Sequence, residues 1–211
     1  MDGGEPWPLL IFPCNGNGLE ALHCLGNKFQ CVGFVDDGPE KHGSDWHGYR
    51  VFSRTALNDF QKARVLAVPG SPTSFRSRKE VVTSLGLNAE RFACVIHPAA
   101  TIAPLAVIGY NVLIMAGVVM TSNCVVGNHV CVLPNTVIHH DVTIGNWSMI
   151  GSNVTVAGGT TIEDNCYIGS GSSVRNGLNL GAGSMLGLGS NLINDVSDGV
   201  TVAGNPARPV R

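Results

Sequence analysis

Charge is scarce in this chain: 13% of its 211 residues are Asp, Glu, Lys or Arg, and the formal net charge is −2. The few cations are scattered, with Arg76, Arg78 and Lys79 the only cluster, so neither a nucleic-acid stripe nor a face for anionic membrane is present. Aromatic residues are 6%. No apolar run approaches the roughly 20 residues that span a bilayer, since the run Pro8 to Phe12 is far too short. Met1-Asp2-Gly3-Gly4-Glu5 carries acid where a secretory leader needs base. A cytoplasmic protein that binds neither nucleic acid nor membrane is expected. Seven cysteines, an odd number without C-x-x-C spacing, indicate neither a disulfide framework nor a zinc knuckle.

Glycine, by contrast, is abundant at 27 residues, and the second half of the chain repeats. From Ile96 through Ile102, Ile108 and Ile114 to Leu192, every sixth residue is aliphatic or Met, seventeen in step. Neither a helix nor a flat sheet has that period, so the pattern defines a repeat architecture. Gly109, Gly127, Gly145 and Gly181 follow the repeat aliphatic in eighteen-residue steps, with Glu163 in the gap. Three hexapeptides therefore make one coil of a triangular solenoid, with the aliphatic inward and a Gly or small polar residue at the corner. About five and a half coils, at a strand spacing of roughly 4.8 Å, give a prism about 26 Å tall. The unbroken register leaves no place for a long loop. Cys124 and Cys166 fall where other repeats have Val112, Val118 and Ser148, and read as small core residues.

Before residue 91 the grammar differs. Pro8–Phe12, Cys31–Val35 and Arg64–Val68 read as buried strands, with helical stretches over Leu19–Leu25 and about Arg76–Leu85. Strands alternating with helices predict a small parallel sheet. The strands end at Asn15-Gly16-Asn17-Gly18, at Asp36-Asp37 and at Pro69-Gly70-Ser71. Gly16-Asn17-Gly18 follows a strand and opens a helix, the arrangement in which helix N–H groups face a phosphate. Asp36 and Asp37 stand where a carboxylate accepts hydrogen bonds from a base or ribose, and Gly70 and Ser71 are similar candidates for substrate binding.

The chemistry concentrates at His139-His140-Asp141. Ile138 fixes the register, so the pair of histidines follows an inward anchor and lies on a turn of the prism. Neutral imidazole is suited to taking a proton near pH 7, and an adjacent carboxylate holds its tautomer and raises its basicity. Eighteen residues beyond His140 lies Gly158, whose backbone N–H is expected beside the base, able to stabilise an oxyanion.

These features, with Ala203-Gly204-Asn205-Pro206-Ala207-Arg208 near the end of the chain, resemble the hexapeptide-repeat sugar O/N-acyltransferases. That family includes the UDP-4-amino-sugar and GDP-perosamine N-acetyltransferases and sialic acid O-acetyltransferase-like proteins. The resemblance covers nearly the whole chain. It implies a Rossmann-like, nucleotide-sugar-binding α/β domain over residues 1–91, then a left-handed parallel β-helix over 92–211 with a C-terminal loop. It implies His140 as general base, Asp141 as its partner and Gly158 beside them, with His139 in place of the family's acidic residue and near the substrate. Acetyl-CoA is the implied co-substrate, running between adjacent prisms toward Ala203, Gly204, Asn205 and Pro206. A nucleotide-linked amino sugar, UDP-linked in preference, is the implied acceptor, and no metal is expected. Because one prism leaves His140 on an open face, a homotrimer with active sites between subunits is expected.

Two departures stand out. Met149 holds the position where the family often has a second His, and Met cannot donate the same hydrogen bond to a thioester carbonyl. The family's Gly-x-Gly-Gly-x-Gly is here Pro13-Cys14-Asn15-Gly16-Asn17-Gly18, with Asn17 in place of a His. The competing classes are O-acetylation of a sugar such as sialic acid, a zinc-dependent γ-type carbonic anhydrase, whose ligand spacing His129, His139 and His140 do not fit, and a non-catalytic β-helical scaffold. His129, on an outer turn, is a minor candidate to face a subunit groove, and His97-Pro98 reads as the structural entry to the first coil.

Overall fold

The protein is described here by a computed structural model covering residues 5–210; the expectations placed on Met1 to Gly4 and on Arg211 lie outside the described residues. The first part holds β1 (Trp7–Phe12), α1 (Gly16–Ala21), β2 (Phe29–Val35), β3 (Asp45–Trp46), β4 (Tyr49–Phe52), α2 (Ala56–Asp59), β5 (Arg64–Ala67) and α3 (Arg78–Thr83). The sheet order is β3-β4-β2-β1-β5. β1 is paired in parallel with β2 and β5 on its two edges and has a core cluster on each face, so it reads as continuously apolar. Leu9 and Ile11 enter one core cluster and Leu10 and Phe12 the other, as the period of two requires.

The edge hairpin β3–β4 is antiparallel and closes through His47 and Gly48, both at positive φ (53° and 84°). His-Gly is not one of the Asn-Gly or Asp-Gly signals of such a turn, and these strands go unread in the sequence. The first helix starts earlier than expected, at Gly16, because the Asn15 side chain caps it, and it tightens into a 3₁₀ turn at Leu22–Cys24. The third is preceded by a 3₁₀ turn at Phe75–Ser77 and stops before Gly86, at φ 66°.

The repeat is a β-helix. Seventeen two-residue strands run from β6 (Val95–Ile96) to β22 (Asn191–Leu192), and the second residue of each is the sixth-position aliphatic. They stack into three parallel sheets at eighteen-residue offsets, for example Ile102–Met120–Ile138–Val156. The aliphatics from Ile114 to Leu192 are buried, each contributing roughly 1.5–3 kcal/mol relative to exposure. Cys124 and Cys166 are fully buried in the same core with Val112 and Val118.

The corners differ from the sequence expectation. Positive φ falls on the third residue after the aliphatic, as at Asn123 (60°), Asn135 (61°) and Gly159 (69°), not on the Gly that follows it directly. Those first glycines have another cause. A Cβ on Gly109 would lie 2.3 Å from Asn128 Oδ1, and one on Gly145 2.5 Å from Asp164 Oδ1. The same oxygens accept backbone N–H groups one coil below, Tyr110 at 3.0 Å and Asn146 at 2.7 Å. Past Leu192 the coil shortens by two residues, so that Leu186 pairs with Val202. The expected C-terminal loop is an antiparallel hairpin of β23 (Thr201–Gly204) and β24 (Ala207–Pro209).

The two parts share a core. Leu113, Met115 and Cys131, on the outer face of one β-helix sheet, pack in the cluster of Leu9, Ile11 and Phe34. The other two sheets face away from the α/β part, and the corner between them carries His139 to Asp141.

Candidate active site

That corner lies between β13 (Val137–Ile138) and β14 (Thr143–Ile144). Buried Ile138 and Val142 hold its two ends, and the turn projects His140 and Asp141 outward with side chains 65% and 56% exposed. Asp141 takes the left-handed conformation (φ 60°), which Asp tolerates better than most residues. His140 Nδ1 is 2.7 Å from Asp141 Oδ2. An ionised carboxylate only accepts, so Nδ1 carries the hydrogen and the Nε2 lone pair is left free. The bond to His140, and then a second from Asn123 Nδ2 at 3.0 Å, lower the pKa of Asp141 and keep it anionic.

Asn123 was not read from the sequence, although the signal is there: it stands eighteen residues before Asp141 and so lies directly beneath it. Gly158, directly above His140, has a definite steric role. A Cβ there would lie 2.6 Å from both Cε1 and Nε2, so the imidazole rests on the glycine backbone. Gly159 N–H is taken by the His140 carbonyl at 3.0 Å. Among the described residues the N–H of its neighbour Gly158 donates to no backbone carbonyl, as an oxyanion donor requires.

The ends of β1, β2 and β5 meet along one edge of the parallel sheet and bring the predicted substrate residues together. Asn17 Nδ2 reaches the Gly70 carbonyl (3.3 Å), and Asp36 Oδ2 accepts the Cys14 N–H (2.9 Å). The individual roles change. Gly18 N–H is already capped by Asn15 Oδ1 at 2.9 Å, and a Cβ on Gly18 would lie 2.5 Å from the Pro13 carbonyl, so this glycine serves helix–strand packing. Gly16 has open space around it. Asp36 is 5% exposed and holds the Gly38 N–H and Lys41 Nζ as well as Cys14, so it organises the loop rather than presenting a free carboxylate. Asp37 forms a two-pronged ion pair with Arg54 at 2.5 and 2.7 Å. Ser71 bonds Thr73 and Ser74 within its own turn.

Two further assignments are corrected. Met149 is buried with Phe75, Tyr167 and Met185, and a Cβ on Gly70 would lie 2.7 Å from its sulfur. It seals the seam between the two parts and has no open face for a cofactor. His129 is also buried in that seam, 3% exposed, and burial together with the nearby Arg78 cation lowers its pKa to about 4. It faces no groove. His97 Nδ1 accepts the Ala99 N–H at 2.9 Å, the structural role expected of it. His139 stands beside His140, away from the loops at the sheet edge. The 203–206 segment is the end of β23 and the turn into β24, on a different sheet from those flanking His140, so one chain does not bring these two elements together.

A protein-family model described as the GMPPB C-terminal domain matches residues 91–186. No curated protein sequence matches the chain. Among solved structures, the acetyltransferase domain of PglB from Neisseria gonorrhoeae, in complex with acetyl coenzyme A, is 28% identical with a TM-score of 0.84. The match covers 97% of this chain and 100% of that one. WeeI from Acinetobacter baumannii is 25% identical with a TM-score of 0.82, covering 97% and 99%. PerB from Caulobacter crescentus, in complex with CoA and GDP-perosamine, shares the fold at 22% identity, with a TM-score of 0.84 and 99% coverage of both chains.

A β-helix of hexapeptide coils, an α/β part docked on it, and these likenesses along nearly the whole chain are those of the hexapeptide-repeat acyltransferases. The chain's structural neighbours are the sugar N-acetyltransferases of that family.

Proposed function

We propose that the protein transfers an acetyl group from acetyl-CoA to the amino group of a nucleotide-linked amino sugar, UDP-linked in preference, with His140 as general base. The observation that carries this reading is the His140–Asp141 pair, 2.7 Å apart, with Nε2 free and the ring laid on Gly158. PglB's domain holds acetyl coenzyme A and PerB holds a nucleotide-linked sugar, which supports the two co-substrates.

The sugar nitrogen attacks the thioester carbon, and Nε2 accepts the proton that the nitrogen sheds. The imidazolium so formed is stabilised by the Asp141 carboxylate. The Gly158 N–H is the donor proposed for the oxyanion, and collapse of the tetrahedral intermediate expels the CoA thiolate, which regains a proton from His140. The amide forms, the thioester bond breaks, and His140 returns to its neutral state.

The exposure of His140 and Asp141 argues for a second copy to enclose them. Apolar Leu105 (69% exposed), Val107 (60%) and Val125 (40%) lie on the coils beneath Asp141 and on the adjoining sheet. They supply a surface for the proposed homotrimer, in which the 203–206 turn of one copy meets CoA beside the His140 of another. The nucleotide is assigned to the Gly16–Gly18, Asp36–Asp37 and Gly70–Ser71 edge, with Gly16 and the backbone of these loops as the available contacts. No described helix is long and apolar enough to cross a membrane. The cytoplasm remains the location proposed for the reaction. Thiol release from acetyl-CoA with a panel of UDP-, dTDP- and GDP-linked amino sugars tests the reading. Release with none of them contradicts it.

A further inference from the structure

A β-helix offers a docking domain a repetitive surface. Successive coils present nearly the same corner every ~4.8 Å, so a domain packed on it needs a mark that distinguishes one coil from the next. The corner column facing the α/β part has such a mark. Its left-handed positions are Asn111, His129, Trp147 and Asn165, followed by Gly183 and Gly199. Asn is at home in that conformation and His tolerates it at φ 61°; a Trp at φ 68° is not favoured there. Both rings stack face to face, 3.8 Å between centroids and 5° from parallel, with Tyr110 and Phe92 edge-on to His129 at 5.0 and 5.2 Å.

The α/β part reads these residues one by one. Asn111 mimics a strand edge toward β5: its Oδ1 accepts the Ala67 N–H (2.8 Å) and its Nδ2 donates to the Ala67 carbonyl (2.9 Å). That orients the amide, so Nδ2 also donates to His129 Nδ1 at 2.9 Å, and the imidazole is neutral with its hydrogen on Nε2. Arg78, 1% exposed, donates to the carbonyls of His129 (2.7 Å), Trp147 (3.1 Å) and Pro69. No carboxylate pairs with this cation among the described residues. A buried arginine held by carbonyls and the Cys131 sulfur, with no counter-charge, is costly to keep for stability alone.

Trp147 and Met149 belong to the same coil as His140, one two-residue strand further on. Pro69 leads into the Gly70–Ser71 loop, which Asn17 in turn holds through the Gly70 carbonyl. A continuous set of bonds therefore runs from the loop edge assigned to the nucleotide, through Arg78, to the coil of the candidate base. We infer that Asn111, His129, Trp147 and Arg78 form a registration mark that sets the height of the α/β domain along the prism and so places the bound sugar amine level with His140. They are positioning residues, and the inference rests on the proposed function for its catalytic consequence only.

Trp147→Asn, His129→Asn and Arg78→Lys remove the mark, the first two with residues that suit a left-handed corner. Two readouts separate docking from chemistry. Hydrogen exchange at the Ala67 amide reports docking directly, with the Val137 and Thr143 amides reporting an intact β-helix. Steady-state kinetics report placement. The expected result is exchange at Ala67 faster by about tenfold or more, and kcat lower by about 10²-fold, as expected of an ångström-scale misplacement. The KM for the sugar nucleotide, which sits on the α/β domain, should stay within about twofold. Wild-type protection at Ala67 together with unchanged kcat in all three variants would overturn the inference. If wild-type protein acetylates no nucleotide sugar, the functional reading falls while the Ala67 exchange still decides the docking claim.

Discussion

Asn123 and Asp141 stack one above the other at the same corner of consecutive coils, and the Asn123 amide donates to Asp141 Oδ1 at 3.0 Å while Asp141 Oδ2 holds His140. The carboxylate is thus gripped on both oxygens and cannot rotate away from the imidazole without breaking a bond. The eighteen-residue period that builds the core also assembles this trio, because it places chemistry-bearing side chains of neighbouring coils in one column.

Replacing Asn123 by Ala should leave the fold intact and free Asp141 to turn. We expect kcat to fall by about three- to tenfold, with the loss of one hydrogen bond to a charged group. Asp141→Asn should cost more, about 10²–10⁴, because an amide can hold the wrong imidazole tautomer. Acetyl transfer at saturating substrates measures both, and equal rates for Asn123→Ala and wild type would contradict the role given to Asn123.

Gly158→Ala tests the seat of the imidazole. The added methyl lies 2.6 Å from the ring, so His140 must move, and kcat is expected to drop about 10²-fold. The Gly158 backbone is not in the left-handed region, so an alanine there should leave the melting temperature close to wild type. Calorimetry beside kinetics separates the two effects.

The buried His129 gives stability a pH dependence of known sign. Its folded pKa is about 4 against 6.5 unperturbed, first because of burial and then because of Arg78. The groups facing it are the Asn111 amide, which donates to Nδ1, the Arg78 cation and the rings of Trp147, Phe92 and Tyr110; none of them carries a negative charge to pair with an imidazolium. Below pH 6.5 the unfolded chain takes a proton that the folded one refuses, so stability should fall between pH 6.5 and about 4 and level off beneath. Denaturation midpoints across that window should slope less in His129→Asn than in wild type.

The β-helix was legible because its signal is one number repeated: the residue that fills each strand's inward position is the sixth-position aliphatic all along the chain. The same register located His140, Asp141 and Gly158. What it did not reveal is whatever depends on the other part of the molecule. His129 and Met149 look from their positions like outward residues of the prism, and become interior only when the α/β part covers that sheet. Arg76 and Arg78 read as a surface cluster, yet Arg78 is buried, and Arg76 bonds the carbonyls of Gly183 and Gly199. Asp36 and Asp37 carry the right residue type at a strand end, but short-range partners, Lys41 and Arg54, occupy them. The β-helix side of these contacts keeps the eighteen-residue step, as at Asn111, His129 and Trp147, but the α/β side that covers them has no period, so a pattern-based reading cannot tell which sheet and corner are covered.

The central claim is that His140 is the base for acyl transfer, and thiol release from acetyl-CoA measures it directly. With whichever nucleotide-linked amino sugar wild-type protein accepts, His140→Ala should lower kcat by about 10²–10⁴-fold, with the fold and acetyl-CoA binding retained. A His140→Ala variant that turns over at the wild-type rate would contradict the account.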